Sequence, residues 1–189
     1  MKSYNATIMI VDDDPNELFL IERAFRKIGV TARIQAINGG AEAIAYMRGQ
    51  GKYADRNKYA YPTFICTDLK MQGGDGFSVL EHLKQNPESA MIPTVMLSSS
   101  CDPDDIKKAY MLGASSYHVK PGAAEALRAL LKALHDYWMT CEIPEADRAG
   151  HQLHTDSEGK LGQRYEQPER GCADNETRRV SVSEAPHGK

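Results

Sequence analysis

Asp68 stands directly after a short apolar run, Thr63-Phe64-Ile65-Cys66-Thr67, and before a glycine-rich loop, Leu69-Lys70-Met71-Gln72-Gly73-Gly74-Asp75-Gly76. A carboxylate at the carboxyl end of a buried strand sits where parallel α/β sheets place their chemistry. Asp12 and Asp13 close a second apolar run, Ala6-Thr7-Ile8-Met9-Ile10-Val11. If the two runs form neighbouring strands, three carboxylates converge. Like charges at contact distance raise each other's pKa, and a hard divalent cation such as Mg2+ relieves that conflict. Two further segments end in reactive or charged residues: Val95-Met96-Leu97-Ser98-Ser99-Ser100, and Tyr117-His118-Val119-Lys120-Pro121. Together they supply three acids, a hydroxyl and an ammonium. That set suits phosphoryl transfer: the acids hold Mg2+, one of them attacks phosphorus, and Ser98 and Lys120 bind the phosphoryl oxygens as charge develops.

These residues act together only if the chain folds to bring them together. Short apolar segments bounded by turn residues predict strands at 6–11, 32–37, 63–67, 93–97 and 115–119. Helical periodicity fills the gaps. Asp14-Pro15-Asn16-Glu17 reads as an N-cap, a proline at the first helical position and a capping-box acid. The stripe Leu18, Ile21, Phe25 and Ile28 follows, and Gly29 stops the helix. A second helix over 40–48 is expected to turn Ala41, Ile44 and Met47 inward. A third begins near Asp75 with Phe77, Leu80 and Leu83 facing the core. A fourth starts at Asp102-Pro103, with Asp105 as its acid. A fifth runs from about Ala123 to Thr140 on a stripe of Leu127, Leu130, Leu131, Leu134 and Trp138. Five β/α units predict an α/β doubly wound, five-stranded parallel sheet of the flavodoxin-like order 2-1-3-4-5, with helices on both faces. That order makes the first and third strands neighbours. Residues 49–62 exceed an ordinary helix-to-strand link and read as a surface loop, a candidate partner-contact insertion.

Bulk composition narrows the function classes. The net charge of −3 provides no basic field for nucleic acid, and no helix-turn-helix pattern or basic patch follows the last helix. No run of about 18 apolar residues is available for a membrane span. Four cysteines without a C-x-x-C pair fit a reducing cytosol better than a disulfide scaffold or zinc site. Lys plus Arg balance Asp plus Glu at 16 each in residues 1–141, whereas 142–189 hold 7 against 10. That C-terminal segment is too polar to bury a core and is expected to be disordered.

The ordered set Asp12-Asp13, Asp68, Met71 with Asp75-Gly76, Ser98, Gly113-Ala114, Tyr117 and Lys120-Pro121 resembles the receiver domain of two-component response regulators. The resemblance covers about residues 5–140. It implies a receiver over 1–141, with 142–189 as a tail and no output domain. The extended link before the third strand, the Asp-Pro start of the fourth helix and Tyr137-Trp138 resemble single-domain receivers paired with bacterial phytochrome histidine kinases. The family's roles then carry over. Asp68 is the phosphoacceptor for a sensor kinase's histidine. Asp12, Asp13 and Asp68 hold Mg2+ together with the Lys70 carbonyl. Ser98 and Lys120 contact the phosphoryl oxygens, and Tyr117 is the aromatic switch. Lys120-Pro121 carries a cis peptide. Output passes to a downstream protein through the fourth helix, fifth strand and fifth helix, a surface also suited to a homodimer. Such a protein is a cytoplasmic signalling phosphoprotein rather than an enzyme. Gln72 departs from the family, which usually has proline there. Two alternatives stand beside this reading: a phosphate-independent pseudo-receiver adaptor, and a phosphatase of the haloacid dehalogenase type using Asp12 and Asp14.

Overall fold

The computed structural model describes residues 6–72, 75–144 and Gly150. Five parallel strands, β1 (Thr7–Asp12), β2 (Arg33–Asn38), β3 (Phe64–Thr67), β4 (Thr94–Ser98) and β5 (Ser116–Val119), form one sheet in the order β2-β1-β3-β4-β5. Five α-helices alternate with them: α1 (Pro15–Lys27), α2 (Gly40–Met47), α3 (Gly76–Gln85), α4 (Pro103–Met111) and α5 (Ala124–Thr140). This is the flavodoxin-like arrangement expected from the apolar segments. Burial explains the composition of each strand. The central strands β1, β3 and β4 are buried throughout, as suits a sheet covered on both faces. The edge strands β2 and β5 carry most of the exposed or half-buried positions.

Period-two alternation divides the core. Ile8 and Ile10 of β1, with Phe64, Cys66, Val95 and Leu97, pack against Leu18, Ile21 and Phe25 of α1 and Leu131 and Leu134 of α5. Met9, Val11, Ile37 and Ile65 face the other way, onto α2 and α3. A third cluster joins Leu69, Phe77, Leu80 and Met96 to Ala109 of α4 and Ala114. Fully burying one such side chain contributes about 1.5–3 kcal/mol, so these stripes, rather than helix propensity, hold the helices on the sheet. Trp138 packs against the α1–α5 side of the core, while its neighbour Tyr137 is exposed. The pair therefore divides between core and surface.

Four expectations are corrected. In α2 the inward residues are Ala43, Tyr46 and Met47; Ala41 is exposed and Ile44 half-buried. The helix turns so that the Tyr46 hydroxyl can donate to the Ala60 carbonyl at 2.6 Å. In α1 Asp14 is the N-cap and accepts from the Asn16 N–H at 2.8 Å, but its own N–H donates to Asp12 Oδ1 at 3.0 Å, so Glu17 completes no capping box. No peptide bond among the described residues is cis, so the Lys120–Pro121 bond is trans, the isomer intrinsically favoured before proline. Finally, 49–62 is not a plain surface loop. It contains a short 3-10 turn, Gly51–Ala54, and buries Tyr53. The rings of Tyr46, Tyr53 and Tyr59 pack at centroid distances of 4.9–6.0 Å. Arg56 closes the end of α2 by donating to the carbonyls of Tyr46 and Met47 at 2.9 and 2.8 Å.

The expected disorder of the tail falls mainly on residues 145–149 and 151–189, outside the described residues. Gly150 is described: it is buried against the Tyr61 ring, and an added Cβ would come within 2.5 Å of it. No helix among the described residues is long and apolar enough to cross a membrane.

Candidate functional site

Because β2 and β3 lie on either side of β1, the chain reverses its winding there, and the carboxyl ends of β1 and β3 open a crevice. The Asp68 N–H donates to the Val11 carbonyl at 2.8 Å, which places Asp68 beside Asp12. Carboxylate oxygens of Asp12, Asp13 and Asp68 lie within 4.8 Å of one another. Asp12 is buried at 2 % exposure and Asp68 at 8 %, with Asp13 nearer the surface.

Lys120 enters from β5, where its N–H donates to the Ser98 carbonyl at 2.8 Å. Its ammonium donates to Asp12 Oδ2 at 2.6 Å and lies 3.7 Å from both Asp68 Oδ1 and Glu17 Oε2. Burial works against charge on Lys120, but the Asp12 hydrogen bond and the surrounding carboxylates more than offset it, so its pKa is raised. Asp68 is pushed above the usual carboxylate range by burial. The Lys120 charge, the Leu69 N–H and the Ser98 hydroxyl oppose that shift without cancelling it.

One ammonium cannot neutralise three close acids. Asp68 Oδ1 is buried and accepts no hydrogen bond. The Lys120 ammonium, 3.7 Å away and already donating to Asp12, offsets part of the cost of that buried oxygen, and a second cation would relieve the rest. The donor set is all oxygen, which suits Mg2+ or Mn2+ rather than a soft metal. Asp12, Asp13 and Asp68 therefore fit a hard divalent ion. Asp14 is not part of this group, because its carboxylate faces Asn16 at the start of α1.

The remaining expected residues lie on the same edge, with the Ser98 hydroxyl reaching Asp68. Ser98 is fully buried, and its hydroxyl accepts from the Ser100 N–H at 3.3 Å. Tyr117 is half-buried and donates to the Ser100 carbonyl at 2.9 Å. Lys70 directs its ammonium to Asp105, 3.3 Å away. Asp105 in turn accepts from the Ser100 hydroxyl at 2.6 Å, the main reason its carboxyl titrates below the usual range. A cavity of about 450 Å3 opens beside the acids, lined by Asp13, Lys70, Gln72, Asp75, Phe77 and Asp105 among others.

Sequence pattern alone does not reveal what three neighbours of the site do. The pattern reads Glu17 as a helix-cap acid, but its place one turn into α1 carries it to within 3.7 Å of the Lys120 ammonium. It reads Asp105 in the same way, whereas that carboxylate faces Ser100 and Lys70. Gly76 allows α3 to start close to the site: its N–H donates to the Leu69 carbonyl at 2.9 Å, and a Cβ there would lie 2.3 Å from the Asp68 carbonyl oxygen. The Asp75-Gly76 pair was visible as a motif, but its steric role was not.

Comparison with known proteins agrees with this geometry. Residues 8–132 match the response regulator receiver domain. A protein of Methanothrix harundinacea named probable methanogenesis regulatory protein FilR2 is 32% identical over 70% of this chain and 83% of its own length. The crystal structure of the phosphorylated cyanobacterial phytochrome response regulator RcpA superposes with a TM-score of 0.69 at 30% identity, covering 75% of this chain and 99% of that one. Response regulator Rcp1 of Synechocystis sp. is 27% identical over 74% of this chain and 93% of its own. Its Mn(2+)-bound form superposes with a TM-score of 0.67, covering 74% of this chain and 99% of that one. The family match runs from β1 into α5 and takes in both acidic strand ends and the lysine strand: the chain belongs to the response regulator receiver domain family.

Proposed function

We propose that this chain is a response regulator that accepts a phosphoryl group on Asp68 from a sensor histidine kinase, of the phytochrome class its structural neighbours suggest. The observation that carries this is the convergence of Asp12, Asp13 and Asp68 within 4.8 Å, with the Lys120 ammonium among them. An Asp68 oxygen forms the new bond to phosphorus as the bond to the kinase imidazole breaks, leaving an acyl phosphate on Asp68 and a neutral histidine on the kinase. Asp12, Asp13, Asp68 and the Lys70 carbonyl would hold Mg2+, which screens the repulsion between carboxylate and phosphate. Lys120 and Ser98 would meet the phosphoryl oxygens.

The added charge of about −1.5 to −2 competes with Asp12 for Lys120 and draws Ser98. Ser98 is linked through Ser100 to Tyr117. Tyr117 then transmits the change to the surface of α4, β5 and α5, where Tyr110, Met111 and Val119 are exposed at 50%, 68% and 47%. That surface is the proposed contact for a downstream protein or a second copy of the chain. Residues 1–141 form the receiver in this reading and 142–189 an appended tail. The activity is that of a cytoplasmic signalling switch, with no separate substrate turned over.

Incubation with radiolabelled acetyl phosphate and Mg2+ tests the assignment. The wild-type chain should take up label that Asp68→Asn does not. Equal uptake by the variant would overturn the role of Asp68. No uptake by a Mg2+-binding wild-type chain would favour a phosphate-independent adaptor.

A further inference from the structure

Asp13 is held from across the chain. Its Oδ2 accepts the main-chain N–H of Gln72 at 2.8 Å, a bond between residues 59 apart in sequence. The segment that leaves Asp68 is thereby fastened at both ends: Asp68 is anchored by its N–H on the Val11 carbonyl, and Gln72 by its N–H on Asp13. Lys70 is the middle residue of that segment. Other contacts set the same path. The Leu69 carbonyl accepts from the Gly76 N–H at 2.9 Å, and Lys70 is paired with Asp105. The Gln72 carbonyl oxygen passes 3.8 Å from the point a Gly39 Cβ would occupy, and the Gly39 N–H donates to the Asp12 carbonyl at 3.0 Å. The Gln72 backbone thus runs between the acidic end of β1 and the end of β2.

We infer that the main-chain N–H of Gln72 is a positioning group for the metal site: it clamps the 69–72 segment onto Asp13, fixes the Asp13 carboxylate and presents its other oxygen to the cation. This rests on the metal reading given above. The clamp works in two ways. It engages one oxygen of a charged carboxylate, so Asp13 offers Oδ1 in a set orientation. It also closes the chain around the site, so less freedom remains to be lost when a cation takes Asp13 and the Lys70 carbonyl together. Any residue with an N–H at position 72 supplies the clamp. Proline, the residue usual at this place in the family, has none, so the clamp belongs to chains that depart from it.

The substitution pair Gln72→Ala and Gln72→Pro separates backbone from side chain. Mg2+ binding is measured by calorimetry on the full chain. Gln72→Ala should bind as the wild type does. Gln72→Pro should bind about tenfold more weakly, the effect of losing one hydrogen bond to a charged group. In an Asp13→Ala background the two variants should bind alike. Equal binding by Gln72→Pro and the wild type overturns the clamp, as does equal weakening by Gln72→Ala.

A second readout needs no metal. In the metal-free protein, hydrogen exchange at the Gln72 amide should quicken at least about tenfold on Asp13→Ala. Unchanged exchange overturns the clamp even if Mg2+ binds. If exchange quickens as expected but the wild-type chain binds no Mg2+, the bond stands and its positioning role falls together with the metal reading.

Discussion

Gly76→Ala tests the link between packing and chemistry. The new methyl group would lie 2.3 Å from the Asp68 carbonyl oxygen, 2.8 Å from Met96 Cε and 3.1 Å from Leu69 Cα. Non-bonded heavy atoms rest about 3.5 Å apart, so relief needs roughly 1 Å of movement. The Met96 methyl can swing aside. The Asp68 carbonyl and Leu69 Cα are backbone and can yield only by shifting the end of β3 or the start of α3. Overpacking of this kind costs about 1–3 kcal/mol. Alanine gains up to ~1 kcal/mol in helix propensity. Because the two unyielding contacts are backbone, the cost falls in the upper part of that range and the expected net loss is about 1–2 kcal/mol, or a fall in Tm of roughly 3–8 °C for a domain of this size.

The control is Gly122→Ala, where no atom lies within 4 Å of the added carbon; it should be neutral or slightly stabilising. Urea denaturation and calorimetry on both variants read the difference. Because the strain falls on the main chain of Asp68, phosphate uptake should decline more than stability does, by up to about 100-fold for a 1 Å displacement at a reacting group. A Gly76→Ala protein as stable as wild type would refute the steric argument. One that is destabilised but takes up phosphate normally would show that α3 moves instead of Asp68.

Three further outcomes follow from Tyr46 and Cys66. Tyr46→Phe removes the donor to the Ala60 carbonyl, and because Tyr46 is fully buried the loss should destabilise the protein by about 1–3 kcal/mol in urea denaturation; Tyr137→Phe, at an exposed ring, should be nearly silent, and equal midpoints would refute the role given to the hydroxyl. Burial pushes the Cys66 thiol up to about 12, so in native protein near pH 8.5 iodoacetamide should label exposed Cys101 and spare Cys66. Because the fold holds this thiol protonated, stability tied to it is present below the ordinary thiol pKa near 9 and lost as pH rises through 9 toward 12, which a Cys66→Ala comparison of denaturation midpoints across that range should reveal.

The strands were readable because each is a short apolar run that must be buried. Their order followed from the β/α alternation, and with it the meeting of Asp12, Asp13 and Asp68. What escaped depends on contacts distant in sequence. The inward face of α2 is set by Tyr46 reaching Ala60, a partner that no periodicity within the helix reveals. Glu17 and Asp105 sit where capping acids usually sit, and only the positions of Lys120, Ser100 and Lys70 show that they face elsewhere. Residues 49–62 looked polar because their lysines and arginine are conspicuous. Those same cations lie over the tyrosine rings, with Lys52 over Tyr53 and Lys58 over Tyr59. Gln72 stands out in the sequence by sitting where the family usually has proline, whereas its consequence lies in an N–H that side-chain chemistry does not show.

The tyrosine-packed segment 49–62 also bears on how such a protein can diversify. It joins the end of α2 to the start of β3, at the amino edge of the sheet, whereas the acids occupy the carboxyl edge. Arg33 of β2 ties it down by donating to the carbonyls of Asn57 and Lys58 at 2.9 and 3.2 Å, and Gln35 donates to Lys58 at 3.1 Å. Mutation can therefore redraw the exposed outline of this segment without moving a catalytic atom. What docks on that end of the molecule can in this way be altered separately from the chemistry at the other.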